Sequence, residues 1–176
     1  MSDLYDEIRD VAAQYPVRRS AVLPALRLAQ DHYGWLPPQA FRDVAEALEL
    51  TPAYCQSVAS FYDMFHLEPV GRCLIEVCTN ISCALVGAQA VLEQFENELG
   101  ITAGQTTADG EFTLRTVECA GGCGWGTVVA IDHRYREHVK ADDVGGILSE
   151  LRGAEPVGVG RGPGVSEDGA VGDGAA

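Results

Sequence analysis

Four of the six cysteines are arranged as two closely spaced pairs. Cys78 and Cys83 lie in Cys-Thr-Asn-Ile-Ser-Cys, and Cys119 and Cys123 lie in Cys-Ala-Gly-Gly-Cys. Each pair lies between hydrophobic segments, so a fold can bring four thiolates to one place. A two-iron, two-sulfur cluster takes two thiolates at each iron, a structural zinc site also takes four cysteines, and disulfides would use the same pairs. The spacing favours the iron–sulfur cluster first and zinc second.

The composition excludes several classes of function. The first ten residues are acidic and amphipathic, so we expect no signal peptide, and no apolar run is long enough to cross a bilayer. The expected compartment is the reducing cytoplasm, where disulfides are the least expected use of paired cysteines. The net charge of −14 repels phosphates, so nucleic acid is not an expected partner.

The hydrophobic pattern divides the chain into three parts. Residues 1–70 predict four short helices with brief connections, which indicate a small bundle. Residues 71–152 predict the order strand–helix–strand–strand–strand–helix, a small mixed sheet flanked by helices. Residues 153–176 are rich in glycine and acidic residues, and we expect this tail to be disordered. The predicted fold class is α+β.

Local signals indicate where the elements begin and end. Ser20 is positioned to cap the second helix, and Thr51 is positioned to cap the fourth, with proline at the first helical position. Apolar residues at helical spacing predict one helix over 85–99, and Asp109-Gly110 predicts a hairpin turn.

The cysteine pairs are expected in loops at strand ends, where they can converge. Cys78 ends the first predicted strand, and Cys83 begins the following helix, where free amides favour the thiolate. Cys119 follows the second strand, and Cys123 precedes the third. The two glycines between them allow backbone N–H groups to approach cluster sulfurs.

The remaining cysteines and histidines do not fit a ligand pattern. Cys55 lies on a predicted helix and Cys73 begins a strand, so both are expected to be buried free thiols. No histidine lies in either cysteine loop, as a Rieske centre would require. No glycine-rich phosphate loop follows a strand, so we expect NADH and flavin to bind elsewhere.

Four stretches of the chain resemble the thioredoxin-like two-iron ferredoxin family, which includes the E subunit of the proton-pumping NADH:quinone oxidoreductase (respiratory complex I). The similarity extends over roughly residues 15–152. It is carried by Tyr-Gly-Trp-Leu-Pro at 33–37, Val-Ala-Ser-Phe-Tyr-Asp-Met-Phe at 58–65, and the two cysteine motifs at 78–83 and 117–123. The resemblance implies a helical N-terminal domain followed by a thioredoxin-like domain.

The resemblance also implies a function and a ligand set. It implies an electron-transfer subunit with one 2Fe–2S cluster, in the cytoplasmic peripheral arm of a membrane-bound complex, without direct membrane insertion. The implied partner is the flavoprotein subunit that binds FMN and NADH, so no NADH oxidation is expected from this chain alone. The ligands implied by the resemblance are Cys78, Cys83, Cys119 and Cys123.

Other functions stay open at this point. Similar subunits serve soluble NAD-linked formate dehydrogenases and hydrogenases, as their diaphorase module. A zinc-stabilised interaction module is the alternative of another class. A thiol–disulfide oxidoreductase is weakened by the absence of a Cys-x-x-Cys motif.

The sequence departs from the family after the last cysteine of the second pair. The family usually has Ala-Pro where this chain has Gly126-Thr127, so a hydroxyl is added that is expected to reach a sulfur or a carbonyl. Trp125 is expected either to belong to the core or, as the favoured interpretation, to shield the cluster or face a partner. The apolar run at 61–67 is expected to contribute to a partner surface.

Overall fold

The computed structural model describes residues 2–153, and the first half of this range is helical. Its four helices are α1 (Ser2–Ala12), α2 (Val22–Tyr33), α3 (Pro38–Leu48) and α4 (Pro52–Ala59). They bury one shared apolar core that includes Ile8, Leu26 and Val44, each with no exposed surface. Because each helix is short, this shared core stabilises the bundle more than helix propensity does. The predicted small bundle is therefore confirmed.

The helix ends confirm one predicted cap and contradict another. The Thr51 hydroxyl accepts a hydrogen bond from the Tyr54 N–H at 3.3 Å, as the sequence predicts. The predicted cap at Ser20 is wrong, because a 3-10 turn over Arg18–Ala21 precedes α2 and moves its start to Val22. Among residues 2–153, no side chain caps α2 at its N-terminus.

The second half contains a mixed four-stranded sheet, as predicted. Its strands are β1 (Cys73–Cys78), β2 (Phe112–Val117), β3 (Val129–Ile131) and β4 (Arg134–Arg136). Their order in the sheet is β2-β1-β3-β4, with β1 parallel to β2, and β3 antiparallel to both β1 and β4. The register places Cys78 opposite Val117, so β1 and β2 end side by side.

The two edge strands have different surroundings. All three residues of β4 are exposed. A loop runs along the outer edge of β2 and forms two hydrogen bonds with Leu114. The Gly104 N–H donates to the Leu114 carbonyl at 2.7 Å, and the Leu114 N–H donates to the Gln105 carbonyl at 3.0 Å. This loop reaches β2 through the predicted turn, in which Gly110 has a φ of 70°.

Three helices accompany the sheet, namely α5 (Ile81–Leu85), α6 (Ala88–Leu99) and α7 (Val144–Gly153). The single helix predicted over 85–99 is wrong, because Gly87 has a φ of 106° and separates α5 from α6. Buried side chains of the strands, α6 and α7 form a second core that includes Phe95, Leu114 and Leu148.

A glutamine joins the bundle to the segment that leads into the sheet. The Gln30 amide donates to the Met64 carbonyl at 3.0 Å and accepts from the His66 N–H at 2.7 Å. The buried His66 ring in turn stacks on His133 of the β3–β4 turn, with centroids 6.5 Å apart. The domain boundary at residue 70 stays a prediction.

The end of the chain is only partly described. Gly153, which the sequence assigned to the tail, ends α7. The rest of the predicted disordered tail, residues 154–176, lies outside the described residues. Among residues 2–153, no helix combines the length and the hydropathy that crossing a membrane would need.

Candidate functional site

The first cysteine pair lies where β1 meets α5. Cys78 is the last residue of β1, and its N–H donates to the Val128 carbonyl at 3.0 Å. Cys83 is the third residue of α5, the short helix that follows the turn after β1. Both side chains are buried, with 2% and 1% of their surface exposed, and they pack against Val128. The first pair is therefore enclosed by the end of the sheet.

The second pair reaches the first because β2 ends beside β1. Cys119 follows β2 by two residues, and Cys123 begins a 3-10 turn. The Ala120 N–H donates to the Cys78 sulfur at 3.5 Å, and the Gly121 N–H donates to the Cys119 sulfur at 3.4 Å. The two cysteine loops are thus in direct contact, and both sulfurs accept backbone N–H groups.

The electrostatics of Cys83 differ from the expectation based on sequence. Burial raises the pKa of the Cys83 thiol, and the neighbouring Cys78 and Cys123 act in the same direction, against a backbone hydrogen bond from Val128. Desolvation therefore outweighs, for the metal-free thiol, the effect expected from the helix start, because α5 has only five residues. A bound metal cation would supply the positive charge that this buried thiolate requires.

The four thiols of the two loops have the chemistry that a two-iron cluster requires. Cys119 and Cys123 are exposed, whereas Cys78 and Cys83 are buried. A two-iron cluster takes two thiolates at each iron, and the two cysteine pairs supply four. The donor set therefore fits a 2Fe–2S cluster.

Two glycines permit close packing around the loops. A β-carbon on Gly122 would lie 2.9 Å from the Val128 Cγ2, and one on Gly126 would lie 2.9 Å from the Val86 Cγ2. Gly122 thus packs closely beside the buried pair, and the expectation that it brings an N–H to a cluster sulfur stays a prediction. Distances this short between carbons are repulsive.

The departure from the family pattern leaves a buried hydroxyl. Thr127 is 1% exposed, and its Oγ1 has no hydrogen-bond partner within the described residues. The expected contact of this hydroxyl with a protein sulfur or carbonyl is therefore absent there. The peptide between Gly126 and Thr127 is cis.

Exposed apolar side chains surround the cysteine loops and form what we term the apolar rim. Trp125 is 53% exposed, in agreement with an expected partner surface, and Leu85 is 81% exposed. Leu85 was expected on the buried face of one long helix and is exposed because the helix is interrupted. Gly87 was the available signal for the break. The rim consists of Ile81, Leu85, Val86 and Trp125.

A second exposed apolar stretch follows α4. Phe61 is 79% exposed and Met64 is 43% exposed. Phe65 is buried in the core of the helical bundle. The expectation that the run at 61–67 contributes an apolar surface agrees with this exposure.

The other two cysteines lie away from the loops as buried free thiols. Cys55 is in the core of the helical bundle, and Cys73 begins β1. Burial raises the pKa of Cys55, and burial together with Asp132 raises the pKa of Cys73 to about 12. Both thiols are therefore protonated at neutral pH, as expected for cysteines that bind no metal.

Comparison with known proteins gives two close relatives. The chain is 42% identical over 152 residues to the second E subunit of the NADH-quinone oxidoreductase of Rhizobium meliloti (strain 1021), covering 86% of this chain and 90% of the relative. It is 35% identical over 153 residues to subunit 2 of the NADH-quinone oxidoreductase of Thermus thermophilus, covering 85% of this chain and 84% of the relative.

The fold also occurs in a larger solved structure. An NAD+-reducing NiFe hydrogenase in the H2-reduced state superposes with a TM-score of 0.69 and 24% identity, covering 77% of this chain and 22% of that chain. This similarity supports the fold alone. The sequence profile of the thioredoxin-like 2Fe-2S ferredoxins matches residues 8–152. The two cysteine loops and the mixed sheet agree with this match. The chain therefore belongs to the thioredoxin-like 2Fe-2S ferredoxin family.

Proposed function

We propose that this chain is the electron-transfer iron–sulfur subunit of an NADH:quinone oxidoreductase, in the peripheral arm of that complex. The observation that carries the proposal is the contact between the two cysteine loops, through the Ala120 N–H on the Cys78 sulfur. The quinone-linked enzyme is favoured over a diaphorase module of a hydrogenase or formate dehydrogenase because relatives at 35–42% identity bear its name.

The proposed ligands of the cluster are Cys78, Cys83, Cys119 and Cys123. Such a cluster exchanges one electron at a time. The chain contributes the four thiolates. The Ala120 and Gly121 N–H groups, which donate to the Cys78 and Cys119 sulfurs, stabilise added negative charge there. Burial keeps water from the first pair, while the exposed second pair leaves one side open to a partner.

Substitution of single cysteines tests the ligand set. Serine at any of the four positions is expected to remove most of the cluster, because a hydroxyl oxygen is a harder and poorer ligand for this centre than a thiolate. Iron and acid-labile sulfide, measured per purified chain, give the result. Cys55→Ala and Cys73→Ala are the matched controls and should retain the cluster, since both thiols are buried away from the loops. Normal cluster content in a serine variant would remove that residue from the ligand set.

The proposed partner is the flavoprotein subunit that binds FMN and NADH. A flavin accepts the two electrons of a hydride and passes them on singly, which a 2Fe–2S protein cannot do alone. The apolar rim supports this partner, because exposed apolar side chains next to a redox centre are typical of a surface buried on assembly. The chain alone should not oxidise NADH.

Co-expression with the FMN- and NADH-binding subunit of an NADH:quinone oxidoreductase tests the partner. We expect the two chains to co-purify and to reduce ferricyanide with NADH. Leu85→Ser should weaken co-purification, whereas Val17→Ser, a matched change at an apolar residue that is 59% exposed in the helical part, should not. Two chains that do not associate, or NADH oxidation by this chain alone, would contradict the proposal.

A further inference from the structure

Thr127 lies in a backbone segment that is bound to the first cysteine pair. On one side, Val128 accepts the Cys78 N–H at 3.0 Å and donates a backbone hydrogen bond to the Cys83 thiol. On the other side, a β-carbon on Gly126 would lie 3.6 Å from the Cys83 Cα. Both neighbours of Thr127 therefore contact the loop that carries the buried thiols.

The Thr127 side chain has a donor with nothing in the described polypeptide to receive it. Its Oγ1 is fully buried and lacks a hydrogen-bond partner in the described part of the chain. Its backbone carbonyl already accepts the Val139 N–H at 3.0 Å. A buried hydroxyl without a partner is destabilising, and valine, which has the same shape, would avoid this cost. A partner outside the polypeptide removes the cost.

We infer that the Thr127 hydroxyl donates a hydrogen bond to an inorganic sulfide of the cluster that Cys83 helps to hold, and so raises the reduction potential. The added electron makes the sulfurs more negative, so a donated hydrogen bond stabilises the reduced form more than the oxidised form. Thr127 thus tunes the potential without being a ligand. The inference rests on the proposed ligand set.

The potential of the cluster-loaded chain is the measurement that tests this role. Thr127→Val and Thr127→Ala both remove the hydroxyl, and Thr127→Ser keeps it. In a dithionite titration followed by electron paramagnetic resonance, the ratio of reduced to oxidised protein at a fixed potential should fall about three- to tenfold in the first two variants. A tenfold fall corresponds to about 59 mV for one electron. Thr127→Ser should stay within about twofold of the parent ratio.

A matched control and a second readout separate this role from a structural one. Thr116→Val makes the same chemical change at an exposed residue of β2 and should leave the potential unchanged. Pulsed electron paramagnetic resonance spectra in H2O should show a proton coupled to the cluster that disappears in D2O. This signal should be lost in Thr127→Val and retained in Thr127→Ser. An unchanged potential and unchanged proton coupling in the hydroxyl-free variants would overturn the inference.

The outcomes also distinguish this inference from the proposed ligand set. A parent chain without iron and sulfide would overturn both. Serine variants of the four cysteines that lose the cluster, together with hydroxyl-free variants of Thr127 at the parent potential, would overturn the role of Thr127 alone.

Discussion

Gly122→Ala tests how tightly the second cysteine loop is packed against the first. The added methyl group would lie 2.9 Å from the Val128 Cγ2, well inside the usual carbon–carbon contact distance of about 3.5–4.0 Å. Val128 has no exposed surface and packs against Cys78 and Cys83, and its branched side chain has few alternative rotamers. The strain of overpacking should therefore cost about 1–3 kcal/mol.

Urea denaturation followed by the visible absorbance of the cluster measures this cost. With a slope of about 2 kcal/mol per molar urea, the midpoint should fall by roughly 0.5–1.5 M. Gly124→Ala is the matched control in the same loop, because a β-carbon there meets no atom within 4 Å. Its midpoint should remain close to that of the parent.

A second substitution identifies the clash as the cause. Val128→Ala removes the methyl group that Gly122→Ala would strike, so the double variant should be more stable than the sum of the two single changes predicts. A coupling of about 1 kcal/mol or more is expected for residues in such contact. Additive effects, or equal midpoints for Gly122→Ala and Gly124→Ala, would refute the argument from packing.

Two further predictions concern buried titratable groups. Burial lowers the pKa of His66 to about 4, with Arg115 and His133 adding to the shift. The neutral His66 ring therefore contributes its full share of the free energy of unfolding above the unfolded pKa of about 6.5, and this share, up to about 3 kcal/mol, is lost as the pH falls towards 4. His66→Leu should remove this pH dependence from the urea midpoints. Burial raises the pKa of Asp132, so that stability is lost as pH rises through the folded pKa. Asp132→Asn keeps an acceptor for the Leu74 N–H, which donates to Asp132 at 2.8 Å. The urea midpoint of this variant should equal or exceed that of the parent at pH 7, and the gain should shrink at low pH. A lower midpoint at pH 7 would contradict this prediction.

The sequence was sufficient to predict the sheet and the place of the cysteines on it. Alternating and continuous apolar runs identify β1 and β2. Because Cys78 ends β1 and Cys119 follows β2 by two residues, both lie at one end of the sheet. The cap at Thr51 was predictable because its partner is only three residues away. Features that depend on neighbours in sequence were therefore accessible.

The parts that were not predictable depend on contacts between distant residues. The desolvation of Cys83 and the close approach of Gly122 to Val128 arise only once both loops are packed together. The unpaired hydroxyl of Thr127 is likewise a property of burial, which the sequence does not reveal. Ser20 illustrates the converse case, in which a plausible local cap is overridden by a 3-10 turn.

The edges of the sheet have a consequence for the free subunit before it meets a partner. An exposed strand edge invites pairing with another chain and hence aggregation. Here β4 is only three residues long and carries Arg134 and Arg136, while the loop at 104–107 already occupies the backbone groups of Leu114 on the opposite edge. A newly synthesised chain is thus protected against strand-to-strand polymerisation while its apolar rim is still uncovered.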